Sequence, residues 1–369
     1  MKKLLLLSTL LLCVTNISSQ EFDIYVSDAG NFGPPNTILK FDSNGENPEV
    51  FIDQNLNWPQ DILFLEDQEV VLISNLNTNV INKHDSNTGE FIEIFATVEG
   101  GPTRMNIGPE GLIYVLQWSG NGLVLRYQQD GTFVDEFTDV GVTQSIGLDW
   151  DNDNNLYVSS FGGGFVRKFA PSGNDLGIFI NSQLTGPTNF RFDNNEDILI
   201  LDWSGAKIER FDDLGNHIDT FITDVSQAEG IDFYPNGDFL IGHGQDASVK
   251  LYNSDGTFLE EIIESGSGGL IRPNAVILRD ASLSTDAFSI LKTTSIFENS
   301  YGTTFKLNKV LQTSIQPIEI YDLGGRLVTT VIINSDKKEW EVLSIVNGVY
   351  LAVLQKGSKK IIQKIIITR

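Results

Sequence analysis

Cysteine is nearly missing from this 369-residue chain: the only one, Cys13, sits in an apolar run close to the start. A single thiol forms no internal disulfide, so a small cystine-stapled fold is excluded, and the mature chain has no thiol nucleophile. Basic residues are also scarce, with 25 Lys and Arg against 49 Asp and Glu and a formal charge of -24. That charge repels phosphate backbones and anionic headgroups, which removes nucleic acid as a partner. After Val14 no apolar run approaches the ~20 residues of a membrane-spanning helix, so no transmembrane segment is expected. The chain holds only three histidines, and no zinc spacing, phosphate-cradling loop or Ser-His-Asp phrase emerges.

What is present begins with a leader. Lys2 and Lys3 precede the apolar run Leu4 to Val14 and a small polar stretch ending at Gln20, the pattern of a secretory signal peptide. Residues 1–19 are therefore expected to be removed, leaving a chain that begins near Gln20. Lipid attachment at Cys13 is disfavoured by the bulky Leu12 before it.

From there one phrase recurs at roughly 41 to 47 residues, the period of a propeller blade. Its first run reads Asp23-Ile24-Tyr25-Val26, Val70-Val71-Leu72-Ile73, Leu112-Ile113-Tyr114-Val115, Leu156-Tyr157-Val158, Ile198-Leu199-Ile200 and Phe239-Leu240-Ile241. A second run such as Ile38-Leu39-Lys40-Phe41 follows, alternating apolar and polar residues as a strand with two faces does. Asn44-Gly45, Thr88-Gly89, Asp130-Gly131, Ser172-Gly173, Leu214-Gly215 and Asp255-Gly256 then read as strand-joining turns. With a fourth run such as Gly147-Leu148-Asp149-Trp150 between copies, the sequence predicts six four-stranded units. The last copy is followed by Pro273-Asn274-Ala275-Val276-Ile277-Leu278, the strand missing from the first. It is expected to join the N-terminal strands and close the ring.

Asn155-Leu156-Tyr157-Val158 and Pro235-Asn236-Gly237-Asp238-Phe239-Leu240-Ile241 resemble the strand-turn phrase of NHL-type and gluconolactonase-type propellers. The expected fold is all-β: a six-bladed β-propeller over residues 20–280, followed by a small β-sandwich over 281–369. In that last segment, Tyr321-Asp322-Leu323-Gly324-Gly325-Arg326, Asn347-Gly348-Val349-Tyr350 and the lysine-rich terminal strand resemble the type A C-terminal sorting domain of the type IX secretion system of Bacteroidetes. One departure is Phe297-Glu298-Asn299-Ser300, which stands where that family carries a Pro-Asn-Pro phrase. The resemblance implies that the type IX machinery is a partner, and that the chain is secreted or placed on the cell surface by way of the periplasm.

Function is expected where loops converge on the channel mouth. Repeat alignment places Asp28, Asn75, Gln117, Ser160, Asp202 and His243 at one equivalent rim position, with Trp118, Phe161 and Trp203 beside them as an aromatic wall. A second ring is expected from Gln60, Thr103, Gln144, Thr188, Glu229 and Asn274, with Asp61 and Arg104 one residue further along. Each of these short polar residues has a plainer use, capping loops and satisfying backbone groups. As a cup, the rings suit a glycan, peptide or surface-protein ligand. The alternative is a divalent-metal-dependent lactonase- or esterase-like hydrolase, or a streptogramin-lyase-like enzyme. The likeness to gluconolactonases implies Glu229, Asn274 and Asp202 as ligands of Ca2+ or another divalent cation, the one candidate cofactor. The loop from Asp149 to Asn155 resembles the start of a calcium loop but lacks its glycine and final glutamate, and it reads better as a turn. His84 and His217 fall near outer strands and are expected to be solvated.

Overall fold

The computed structural model describes residues 21–193, 195–281, 296–307, 316–322, 326–333, 339–342, 345–356 and 359–368. The leader expected at residues 1–19, Cys13 and the glycine pair Gly324-Gly325 lie outside the described residues.

The repeats fold as six four-stranded antiparallel sheets. Innermost strands are Pro59–Leu65, Pro102–Ile107, Ser145–Trp150, Pro187–Phe192 and Ala228–Phe233 in the second to sixth sheets, and Pro273–Asp280 in the first. Each lies against the innermost strand of the next sheet, and the sixth meets the first, so the sheets form a closed ring around a channel. The ring is closed as the repeat phase predicts: Pro273–Asp280 pairs antiparallel with Phe22–Asp28, bringing Val26 opposite Val276. Both sheet edges that an open array would expose are thereby paired.

The nearly continuous apolar first runs follow from this arrangement. Every sheet is covered on both faces, so successive residues of one strand enter different cores. Tyr25 packs with Ile62, Val71 and Ile73 of the second sheet, while Ile24 and Val26 pack with Leu240, Val249 and Ile263 of the sixth. Six such apolar clusters fill the six gaps between neighbouring sheets. The turn glycines serve the same gaps. Gly45, Gly89, Gly131, Gly173, Gly215 and Gly256 all have φ between 72° and 92°, which only glycine adopts without strain. A Cβ at Gly89 would also collide with the Phe51 carbonyl, and one at Gly173 with the Phe137 carbonyl, both in the preceding sheet.

Ring closure has a polar lock. Arg279 of the closing strand donates through Nε and Nη2 to the two oxygens of Glu66, each at 2.8 Å, and through Nη1 to the Ser86 carbonyl at 2.6 Å. Its guanidinium also lies 4.3 Å from the centre of the Phe64 ring.

The C-terminal segment has its own core, in which Phe297, Phe305 and Trp340 stack among Ile318, Ile320 and Tyr350. Its strands form one five-stranded and one two-stranded sheet. The motif residues have local work: Asp322 accepts from the Arg326 backbone N–H and from its Nε, both at 3.0 Å, and the Tyr350 hydroxyl donates to the Val346 carbonyl at 2.9 Å. Phe297, in the departing phrase, is fully buried.

One expectation is corrected. His84 is not solvated: it is fully buried in the third strand of the second sheet, with Nδ1 3.0 Å from the Gly89 carbonyl oxygen. Burial pulls its pKa below the usual histidine value. His217 is exposed, as expected, with Nε2 2.8 Å from a Glu209 carboxylate oxygen. The loop at Asp151 is a hairpin turn, as preferred. The Asp151 carboxylate accepts from the Asp153 and Asn155 backbones, the Asn155 amide, the Tyr157 hydroxyl and Lys168.

Candidate binding face at the channel mouth

The rim alignment coincides with strand register. In all six sheets the rim residue ends the second strand and stands opposite the first residue of the innermost strand: Asp28 with Pro273, Asn75 with Pro59, Gln117 with Pro102, Ser160 with Ser145, Asp202 with Pro187, and His243 with Ala228. All six are buried rather than presented to solvent, and five use their polar atoms to hold their own loops. Asp28 accepts from the Gly30 and Arg272 backbones at 2.8 Å. Asn75 accepts from the Asn57 backbone at 2.9 Å, and the Gln117 amide donates to the Leu123 carbonyl at 2.7 Å. Ser160 donates to the Thr143 carbonyl at 2.7 Å. Asp202 takes bonds from the backbones of Thr185, Gly186 and Gly205 and from the Thr185 hydroxyl.

The second ring forms with one correction. Counting from the first innermost residue, the position held by Gln60, Thr103, Thr188, Glu229 and Asn274 is held in the fourth sheet by Ile146, not Gln144. The innermost strand there starts at Ser145, where four of the other five sheets carry a proline, and the sequence alignment falls two residues early. Gln144 lies before the strand, half-exposed, with φ of 51°. Thr103 and Thr188 bridge sheets, donating to the carbonyls of Ser145 at 2.7 Å and Ala228 at 2.8 Å.

Across this ring lies Arg104, only 3% exposed. From the third sheet its guanidinium reaches three others. Nη2 donates to Glu229 Oε1 at 3.1 Å and to the Asn274 carbonyl at 2.7 Å; Nη1 lies 3.4 Å from Asp61 Oδ1 and bonds the Gln60 carbonyl. Asp61 Oδ2 also accepts from the Met105 backbone at 2.7 Å. The Gln60 amide, turned to satisfy its neighbours, donates to Glu229 and accepts from Trp58 Nε1 and Asn274. Burial pushes the Glu229 carboxyl up to about 7, with Arg104 pulling against it and Asp61 adding to the rise. Asp61 is raised for the same reason, again against Arg104.

This geometry does not assemble the proposed metal set. Glu229 and Asn274 meet, but a guanidinium stands at the carboxylate where a cation would sit, and the oxygens of Asp202 are committed to residues 185, 186 and 205. Among the described residues no group of three or more His, Cys, Asp or Glu side chains is placed to hold a metal ion.

Above this plug the aromatic wall is present. Phe161 lies between Trp118 and Trp203, with ring centres 5.9 Å from each. All three are half-exposed and extend over the third, fourth and fifth sheets. A second group was missed in the sequence: Phe32, 40% exposed, packs on Trp58 at 4.8 Å, with the Arg272 guanidinium 4.1 Å from its ring centre. The signal was Trp58 directly before Pro59, at the start of an innermost strand. Both groups lie at the rim end of the channel, because their loops directly follow rim residues or directly precede innermost strands.

Residues 300–368 match the family described as secretion system C-terminal sorting domain. This is the type IX tail, and the protein is exported through that system to the cell surface or extracellular space. No helix among the described residues is long and apolar enough to cross a membrane. No curated protein matches the sequence. Among solved structures, the chain is similar to one from a nidogen/laminin complex, at TM-score 0.58 and 13% identity, covering 70% of this chain and 98% of that one. It is also similar to a protein of unknown function from Bacteroides caccae, at TM-score 0.56 and 14% identity, covering 71% and 99%. Both likenesses are of fold alone and are consistent with a β-propeller.

Proposed function

We propose that this exported protein is a noncatalytic binding propeller of the NHL type, six-bladed and freed of its leader near Gln20, whose ligand rests on the aromatic arc at the channel mouth. The observation that carries the reading is the row Trp118–Phe161–Trp203, half-exposed above a channel that Arg104 fills. Partly exposed aromatic rings offer large, rigid contact area at little entropic cost, which favours an extended ligand with apolar faces and polar edges. A glycan fits that description first: the C–H faces of its sugar rings would lie on the arc, with their hydroxyls turned to solvent. The cup expected from the two polar rings is replaced by this platform, because those side chains are engaged below it. The hydrolase reading would require a metal ion to displace Arg104 from Glu229.

Two of the three rings of the arc are tryptophan, so binding should change the intrinsic fluorescence. Titration with a panel of oligosaccharides should give a saturable change that Phe161→Ala weakens at least about tenfold, since Phe161 touches both neighbours. A saturable change that ignores Phe161→Ala would remove the arc as the site. Stoichiometric divalent metal, lost in Glu229→Gln, would restore the hydrolase.

A further inference from the structure

One position of the third strand carries a cation in five of the six sheets: Lys40, Lys83, Arg126, Lys168 and Arg210. Each holds a carboxylate of its own sheet, in that order Asp23 at 3.0 Å, Glu93 at 3.0 Å, Asp135 at 2.7 Å, Asp151 at 3.1 Å and Asp219 at 2.5 Å. The two arginines do so as forks, Nε and Nη2 each on one oxygen of the acid. Each guanidinium also lies over a ring, Arg126 4.5 Å from the centre of Phe137 and Arg210 4.9 Å from that of Phe221.

The sixth sheet has Leu251 at this position, but it keeps the acid. Glu260 stands opposite Leu251 as Asp135 stands opposite Arg126 and Asp219 opposite Arg210. Leu251 and Glu260 both line a cleft of about 760 Å³ between the sixth and first sheets, with Glu46 and Asp238 beside them. No Lys, Arg or His lines it among the described residues. Its rings are Phe22 and Tyr234, which meet edge to face with centres 5.8 Å apart. Burial pushes the Tyr234 hydroxyl up to about 12, and Asp232, Glu260 and Asp238 add to the rise, so a negative field reaches the ring. Glu46 and Glu260 are exposed, and a ligand entering the cleft meets their carboxylates directly. The turn Tyr234 to Asp238 precedes the strand Phe239–His243, whose far end is the rim residue His243, so the cleft lies at the end of the sheets away from the channel mouth.

We propose that this cleft binds an alkylguanidinium, such as an arginine side chain bears, its planar head on the Glu260 carboxylate and its stem against Phe22, Tyr234 and Leu251. The ligand supplies from outside the group that the third and fifth sheets supply from their own chain. A guanidinium suits the site because it pairs with a carboxylate through two N–H groups and lies flat on an aromatic ring. The cleft volume lies within the ordinary range for small-molecule sites. The site is separate from the aromatic arc and does not depend on what binds there.

The test titrates the full chain with N-acetylarginine amide and follows the relaxation of the probe's own proton signals. N-acetylcitrulline amide, of the same shape without the charge, is the comparison. The expected result is saturable binding, weaker about threefold or more for the citrulline amide and by a similar factor for Glu260→Gln. Leu251→Arg, which returns the guanidinium of the other repeats to the chain, should abolish it. Butylguanidine distinguishes the sources: equal affinity marks a free alkylguanidine as the ligand, a preference for the arginine amide a peptide, and both support the cleft. Absence of saturation, equal affinity for the citrulline amide, or binding indifferent to the exposed Glu260→Gln change would overturn the proposal, whether or not Leu251→Arg folds.

Discussion

Replacing Arg104 with methionine removes the only cation among the described residues that touches Glu229 and Asp61, and three bonds to carbonyls of other sheets, those of Gln60, Glu229 and Asn274. Breaking a buried ion pair from one side costs about 3–5 kcal/mol, because the remaining charge is left unpaired. The pH dependence of that cost distinguishes the electrostatic role from mere packing. In the native state Glu229 titrates near 7 against an ordinary value of 4.5. Between those values the native state binds more protons than the unfolded chain, so stability falls as pH rises, by at most about 3 kcal/mol from this group. Without Arg104 the Glu229 pKa rises further, and the fall extends to higher pH. At pH 5 the carboxyl is neutral in both proteins, and Arg104→Met should cost about 2 kcal/mol in lost hydrogen bonds. At pH 8 the variant must keep the carboxyl neutral or bury it unpaired, and the cost should approach the upper figure. Urea unfolding followed by fluorescence at the two pH values measures the difference directly, and repulsion from the net charge cancels in the comparison. Arg104→Met/Glu229→Gln should lose the part of the dependence that Glu229 carries, leaving that of Asp61. A cost equal at pH 5 and pH 8, or below about 1 kcal/mol at both, would refute the assignment of Arg104 as the charge partner inside the channel.

Arg279→Ala should cost about 2–4 kcal/mol and raise amide exchange in Phe22–Asp28 and Pro273–Asp280 ahead of the other sheets, as mass spectrometry of exchanged protein would show. Uniform exchange across the ring would argue against a lock at the closure. Gly173→Ala should be at least about 2 kcal/mol worse than Gly177→Ala, although both have positive φ. Only the former places its Cβ against another sheet, while the latter meets open space. Equal thermal shifts would mean that the turn conformation, not the inter-sheet contact, demands glycine. Deleting residues 296–369 should leave the melting of the propeller unchanged, because the tail core contains no propeller residue, and should trap the protein inside the cell on fractionation. Export of the truncated chain would contradict the sorting role of the tail.

How far the fold could be read from the sequence follows from what repeats. Strands buried on both faces need apolar residues at nearly every position, so runs such as Val70–Ile73 stand out, and the phase of the first repeat places Pro273–Asp280 beside Phe22–Asp28. The rim alignment coincides with the register because a glycine turn is required at one fixed point in every sheet. Where the proline that starts four of the innermost strands is missing, the register is less marked: Gln144 was aligned two positions early in the fourth sheet, though Glu229 behind Ala228 was not. The site was less legible for a different reason. A polar residue in a sequence does not say whether its partner is a ligand or its own loop. Asp202 looked like a metal ligand by type, yet it binds Thr185, Gly186 and Gly205. Arg104 is the reverse case, a charged residue that composition places on the surface and that the ring draws inward. Residues from four sheets meet at its guanidinium, some of them 125 and 170 positions distant. No local pattern encodes such a meeting, because ring closure alone brings the third sheet opposite the sixth. The departures from the repeat are therefore where function is to be sought: the rings at Trp118, Phe161 and Trp203, and the leucine at 251 where other repeats carry a lysine or arginine.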